Sequence, residues 1–367
     1  MIPTTPRGFR DALPTQMAWR SNVTRAVCDS FASWGYVPVQ TPTLERVDAL
    51  ELAGPLSEAS FKFFDGDGKL LCMRPDCTLP VARMTALRLK DRPAPFRFYY
   101  SEPVFREQGS LYGEDREFVQ MGIECMGLKG VAADAEVVCL LFDALNAAGV
   151  KDYTVALGTV GVLNALVNAA SASDAWRRDV LSAFHANDYV AVQRLVSTGE
   201  VPPVYAAAIT SMTKIRGGMD AIERCRDLVA PLGCEADLDD LQATYELVCS
   251  MEDSGRLMVD FSIVSSFDYY TGMVFKAYAP QMGQSLASGG RYDSTLEAFG
   301  RKEPAAGFAL GLERVMKALE MQGVQAPGIE PDEVVAQQEG EDLASMFKRA
   351  ASFRSQGKRV VIEGGAQ

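Results

Sequence analysis

Apolar residues recur every three or four positions between residues 15 and 34, at Trp19, Val23, Val27, Phe31 and Trp34, which predicts an amphipathic helix. Gly35 supplies a left-handed stop, and "YVPVQTP" then reads as extended chain closed by prolines. "KLLCMRP" predicts a short strand. In "DCTLPVARM" after it, Asp76 or Thr78 can cap a helix that tolerates Pro80 in its first turn. The period drops to two in "FRFYY" and "EFVQMGIECMG", two strands joined by a segment that carries Gly109 and Gly113, as a hairpin loop would. Residues 134–148 return to helical spacing on Val138, Leu141, Phe142 and Leu145, with Asp134 as cap and Gly149 as stop.

From about 160 to 250 helix follows helix, and His185 lies inside one of them; this predicts a mainly helical insertion. Strand signals return at "LMVDFSIV", "YYTGMVFKAYA" and "QSLAS". A glycine turn at Gly289-Gly290 is expected next, then helices at 292–299 and from about 309 to 321. Strands and helices do not alternate regularly, so a Rossmann sheet is excluded in favour of an α+β arrangement of antiparallel strands flanked by helices. After Pro327 the chain turns polar, and the remainder is shorter than the roughly 50 residues of a usual domain. The expected division is one domain over 1–326 and a short linker or tail over 327–367.

Bulk composition narrows the function. The formal charge of −12 makes a polyanion such as nucleic acid a poor partner, since phosphates are bound chiefly by cations. Eight cysteines form no C-x-x-C pair and His185 is the only histidine, so ordinary zinc-ligand spacing is absent and no metal is expected. Neither a signal peptide nor a membrane-length apolar run is present, which points to a cytoplasmic protein with reduced thiols and no membrane partner.

Several segments carry chemistry. "VSSFDYYTGMVF" sets Tyr269 and Tyr270 between Asp268 and a Thr-Gly pair, like the wall of a pocket for a small polar ligand, without a strong acid, base or nucleophile beside them. On "FVQMGIECM" one face holds Phe118, Gln120, Gly122 and Glu124, opposite an apolar face. That polar face reads either as solvated or as a pocket floor where Glu124 pairs a ligand ammonium and Gln120 fixes its orientation. Arg106 ends a strand, where it serves either a surface ion pair or a fork onto a carboxylate or phosphate. In "SGGRYDSTLEAFG" and "PAAGFALGLERVMKAL" the glycines allow close backbone approach, while Leu312, Val315, Met316 and Leu319 read as core.

Taken together, "RGFRDALP", "GYVPVQTPTLE", "MRPDCT", "VFRE", "DREFVQMGIE", "DYYTGMVF", "GGRYD" and "GFALGLER" resemble the class II aminoacyl-tRNA synthetases, and among them histidyl-tRNA synthetase, in family order across about residues 6–320. The resemblance implies an antiparallel core sheet flanked by helices, a helical insertion, and a homodimer formed through the first helix and strand. Departures decide what it implies for activity. Ser265-Ser266 stand where the family has an arginine-glycine pair that meets the amino-acid carboxylate, and losing a charge-stabilising donor typically costs on the order of 3 kcal/mol or more. Gln108 and Glu114 occupy family positions that handle ATP, although Arg314 is kept, and the anticodon-binding module has no counterpart.

This combination is similar to the regulatory subunits of ATP phosphoribosyltransferase, synthetase-like chains that partner a short-form catalytic subunit in histidine biosynthesis. What the resemblance implies is a subunit with no catalytic residue and no cofactor, binding L-histidine through Asp76, Thr78, Arg106, Gln120, Glu124, Tyr269, Tyr270 and Tyr292. Asp76 and Glu124 would hold the ammonium, Arg106 and Gln120 the polar remainder, and Tyr270 the imidazole side. The rival is an amino-acid-activating ligase that uses no standard anticodon domain, which would need a cation elsewhere to replace the missing arginine. A bare tRNA-binding module would need a basic stripe, against the acidic balance of the chain.

Overall fold

The first helix, α1 (Pro14–Ser33), is closed by Gly35, whose φ of 80° is the left-handed conformation that a Cβ disfavours. The chain then forms the edge strand β1 (Val37–Pro38), β2 (Leu44–Arg46), the single turn α2 (Val47–Leu50), β3 (Lys62–Phe64) and β4 (Leu70–Met73). Helix α3 (Thr78–Arg88) precedes the long pair β5 (Phe96–Phe105) and β6 (Glu117–Met126). After α4 (Gly130–Ala147) and β7 (Thr154–Thr159) come α5 (Val160–Ala169), α6 (Asp174–His185), α7 (Tyr189–Val196) and α8 (Pro203–Met212). The short strand β8 (Arg216–Gly217), α9 (Met219–Val229) and α10 (Leu238–Met251) end this helical stretch. Strands β9 (Leu257–Asp260), β10 (Met273–Tyr278), β11 (Ala287–Arg291) and β12 (Ala305–Gly311) follow, and α11 (Leu312–Met321) continues directly from β12. The computed structural model describes residues 5–54, 60–107, 115–170, 172–252, 254–263 and 269–363.

Among the described residues, nine strands make the main sheet in the order β1-β5-β6-β12-β11-β10-β7-β9-β8. Its middle is antiparallel, with parallel pairs only at β1–β5 and β7–β9. β2, β4 and β3 form a separate small antiparallel sheet. Two rows of facing residues cross the main sheet and set up the site. One runs Tyr100, Gly122, Ala309, Ser288, Lys276; the next runs Phe98, Glu124, Gly307, Gly290, Val274. Small residues at the centre of both rows hollow the sheet surface, while Met121, Ile123 and Cys125 on the reverse face of β6 are fully buried.

Four local expectations are corrected. Asp134 is not a helix cap, because α4 begins at Gly130; Asp134 lies within the helix, buried, where Arg291 compensates its charge through bonds of 2.5 and 2.9 Å. Gly289 and Gly290 are inside β11 rather than in a turn, since a Cβ at either would strike the neighbouring chain. Residues 292–299 contain only a 3-10 turn at Glu297–Phe299. The helix expected from about 309 starts at Leu312, because residues 309–311 still belong to β12, whose backbone pairs with β6 on one side and β11 on the other.

The chain divides into two compact units, the larger made of residues 1–11 and 22–324 and the smaller of 12–21 and 325–367. In the smaller unit β13 (Glu333–Val335) and β14 (Val360–Ile362) pair in parallel, joined by α12 (Leu343–Ser355). Val335, Met346 and Ala350 form its core. The polar stretch read as a linker or tail thus holds a folded β-α-β element, whose three-residue strands are too short to show a periodic pattern.

Candidate ligand-binding site

Glu124 sits in mid-β6 with 1% of its surface exposed, and Gln120 on the same face with 7%, so that face is not solvated. Gly307 stands opposite Glu124 on β12. A Cβ there would meet both the Glu124 carboxylate and the Ile123 carbonyl, so the missing side chain is what makes room for the acid. Three hydroxyls hold the carboxylate: Tyr292 donates to Oε2, Tyr100 donates to Oε1 at 3.2 Å, and Thr78 bonds it as well. Burial outweighs these bonds and pushes the Glu124 pKa up to about 8.

Asp76, the second buried carboxylate, precedes α3, where its Oδ1 accepts the Leu79 N–H at 3.3 Å. The N-cap position of α3 falls on Cys77 rather than on Asp76 or Thr78, so Asp76 bonds the first turn from one residue further out and faces the site at once. Burial raises its pKa, with the charge of Arg106 pulling the other way. Gln120 uses its amide oxygen to accept the Cys77 N–H at 2.9 Å, which leaves the NH2 group as its donor. Tyr269 and Tyr270 have ring centroids 4.9 Å apart, and Tyr292 stands edge-on to them at 5.8 and 6.5 Å.

Seven of the eight residues picked from sequence, namely Asp76, Thr78, Gln120, Glu124, Tyr269, Tyr270 and Tyr292, line one small cavity. Arg106 lies apart. It lines a larger adjoining cavity, donates from Nε to the Pro75 carbonyl at 2.8 Å, and lies 5.2 Å from the Phe118 ring centroid. Gln120, Ser288 and Ala309 line both spaces. Among the described residues no group of three or more His, Cys, Asp or Glu could hold a metal ion, and no helix is long and apolar enough to cross a membrane.

The sequence model of the family described as histidyl-tRNA synthetase matches residues 8–315. The ATP phosphoribosyltransferase regulatory subunit of Moorella thermoacetica is 36% identical over 362 residues, which cover 98% of this chain and 92% of that one. The chain belongs to the histidyl-tRNA synthetase family, in its ATP phosphoribosyltransferase regulatory-subunit branch. The regulatory subunit of Desulforamulus reducens is 33% identical over 355 residues, covering 96% of this chain and 88% of its own. The crystal structure of an ATP phosphoribosyltransferase regulatory subunit/histidyl-tRNA synthetase from Bacillus halodurans superposes with a TM-score of 0.88 at 31% identity, over 99% of this chain and 93% of that one. The fold is accordingly the class II synthetase-like α+β fold, and the branch is one of regulatory subunits rather than catalysts.

Within this regulatory-subunit branch, the positions that argue from sequence against amino-acid activation (Gln108, Glu114, Ser265 and Ser266), and Asp268 with them, lie outside the described residues. Arg314 lines the larger cavity, its Nη1 donating to the Ser285 carbonyl at 3.0 Å. Sequence reasoning missed three participants. Tyr100 continues the period-two face of Phe96 and Phe98 and was findable; Ser288 and Lys276 join the site only through strand register.

Proposed function

We propose that this regulatory subunit activates a short-form catalytic subunit of ATP phosphoribosyltransferase and makes it sensitive to L-histidine, at the first committed step of histidine biosynthesis. The observation that carries the histidine reading is a small aromatic-walled cavity with two buried carboxylates, Asp76 and Glu124. Two acids withdrawn from water favour a ligand with two cationic or N–H donor groups, and histidine has an ammonium and an imidazole. Our reading divides the two acids between the ends of the ligand, whereas the sequence reading gave both to the ammonium. Asp76, beside Thr78 at the start of α3, suits the ammonium. Glu124, ringed by the hydroxyls of Tyr100 and Tyr292 and by the rings of Tyr269 and Tyr270, suits the imidazole N–H.

Feedback follows if histidine binds one state of the assembled transferase better than another, each tenfold preference shifting the equilibrium by about 1.4 kcal/mol. The subunit would work as a cytoplasmic homodimer inside the hetero-oligomer, without cofactor, metal or nucleic acid. Co-purification with a short-form catalytic subunit, followed by assay of each part and of the mixture, tests the reading. Full activity requiring the mixture, and inhibited by histidine, is expected. A catalytic subunit equally active without this chain would overturn it.

A further inference from the structure

Lys276 on β10 faces Ser288 on β11, and the same row continues through Ala309 and Gly122 to Tyr100, so its side chain belongs to the sheet face that bears the ligand cavity. Cross-strand partners are only about 5 Å apart between Cα atoms. The four-carbon stem of a lysine can therefore bring its ammonium over Ser288, to the junction of the two cavities.

The two spaces differ in charge. Among the described residues, the smaller is lined by Asp76 and Glu124 and by no cation, whereas the larger is lined by Arg106, Lys276 and Arg314 and by no carboxylate. That segregation stands out in a chain with a formal charge of −12. Lys276 is partly buried; burial lowers its pKa, and Asp260 is the acid that acts on it in the other direction. Gln120, whose amide oxygen is already engaged by Cys77, offers an NH2 donor at the same junction. An amino acid whose ammonium and imidazole sit against the two acids cannot leave its carboxylate beside them. The opening toward Gln120, Ser288 and Lys276 is where a negative group meets donors instead of acids.

We propose that Lys276 recognises the carboxylate of the amino-acid ligand, making the larger cavity its carboxylate chamber and Lys276 a specificity-determining residue. The proposal rests on the reading of the smaller cavity as a histidine site. Calorimetry on the full chain with histidine and with histamine, which lacks the carboxylate, separates the two ideas. Wild type should prefer histidine. Lys276→Met should lose about tenfold or more in histidine affinity, the size of a hydrogen bond to a charged group, with histamine affinity changed less than twofold. Lys276→Arg should recover part of the loss. If Lys276→Met left histidine binding intact, or weakened both ligands equally, the role of Lys276 would be wrong while the histidine site stood. A wild-type chain that bound neither ligand would remove the site and the proposal together.

Discussion

Glu124 and Gly307 face each other across the β6–β12 pair, and the Glu124 carboxylate occupies the space that a Cβ at 307 would need. The same Cβ would also meet the Ile123 carbonyl, so relief requires the backbone to shift as well as the side chain. Gly307→Ala should therefore destabilise the chain by about 1–3 kcal/mol, as overpacking does, and weaken histidine binding by displacing the acid. Urea denaturation and calorimetry would read both effects. An unchanged urea midpoint would show that the strands have slack at this point.

Stability should depend on pH through Glu124. Its pKa in the folded chain, about 8, lies above the ordinary 4.5, so folding retains a proton that the unfolded chain gives up. The stabilisation is complete below about pH 4.5 and is lost as the pH rises through about 8, at no more than about 1.4 kcal/mol per unit. The raised pKa of Asp76 acts with the same sign. The urea midpoint of ligand-free protein should fall between pH 6 and pH 8, and Glu124→Gln should flatten that fall. Equal slopes in the two proteins would place the proton elsewhere.

The buried pair Asp134–Arg291 ties α4 to the end of β11, next to Tyr292. Asp134→Ala removes the stronger partner of Arg291 and leaves it only the bond from Nη1 to Asp293 at 3.0 Å and a longer one to the Leu128 carbonyl. Breaking such a buried pair costs about 3–5 kcal/mol. Chemical denaturation should show a loss of that size, and a loss below about 1 kcal/mol would mean that solvent or Asp293 replaces the contact.

What the sequence showed, and what it hid, has a physical pattern. The alternation in "EFVQMGIECM" identified β6, because the period of two is a local property. The burial of Gln120 and Glu124 was not local: it depends on Asp76 and Thr78 before them and on Tyr269, Tyr270 and Tyr292 far downstream. The start of the helix expected from about 309 overlapped the end of "AAGFALG", whose small residues serve a central strand that its neighbours crowd from both sides. Lys276 had no signal of its own, since only the β10–β11 register brings it beside Ser288. The tyrosine cluster was legible as a likeness to a known family before any contact was visible.

Amino-acid activation should be absent. Ser265, Gln108 and Glu114 offer no cation where the family's activation chemistry uses one, and a missing charge-stabilising donor costs on the order of 3 kcal/mol or more. Histidine-dependent exchange of pyrophosphate into ATP should stay at background with pure protein. Exchange well above it would favour an amino-acid-activating ligase.

The central claim is that this cavity is the feedback sensor, and histidine inhibition of the reconstituted transferase tests it most directly. Histidine binding draws on the ionised form of Glu124, which the amide of Gln cannot supply, and deleting one partner of a buried charged contact costs roughly 2–5 kcal/mol, equivalent to about 30-fold or more in affinity. Complexes built with Glu124→Gln should need about 30-fold more histidine for half-inhibition than complexes built with the wild-type chain. Superimposable inhibition curves would contradict the account and put the histidine sensor elsewhere in the assembly.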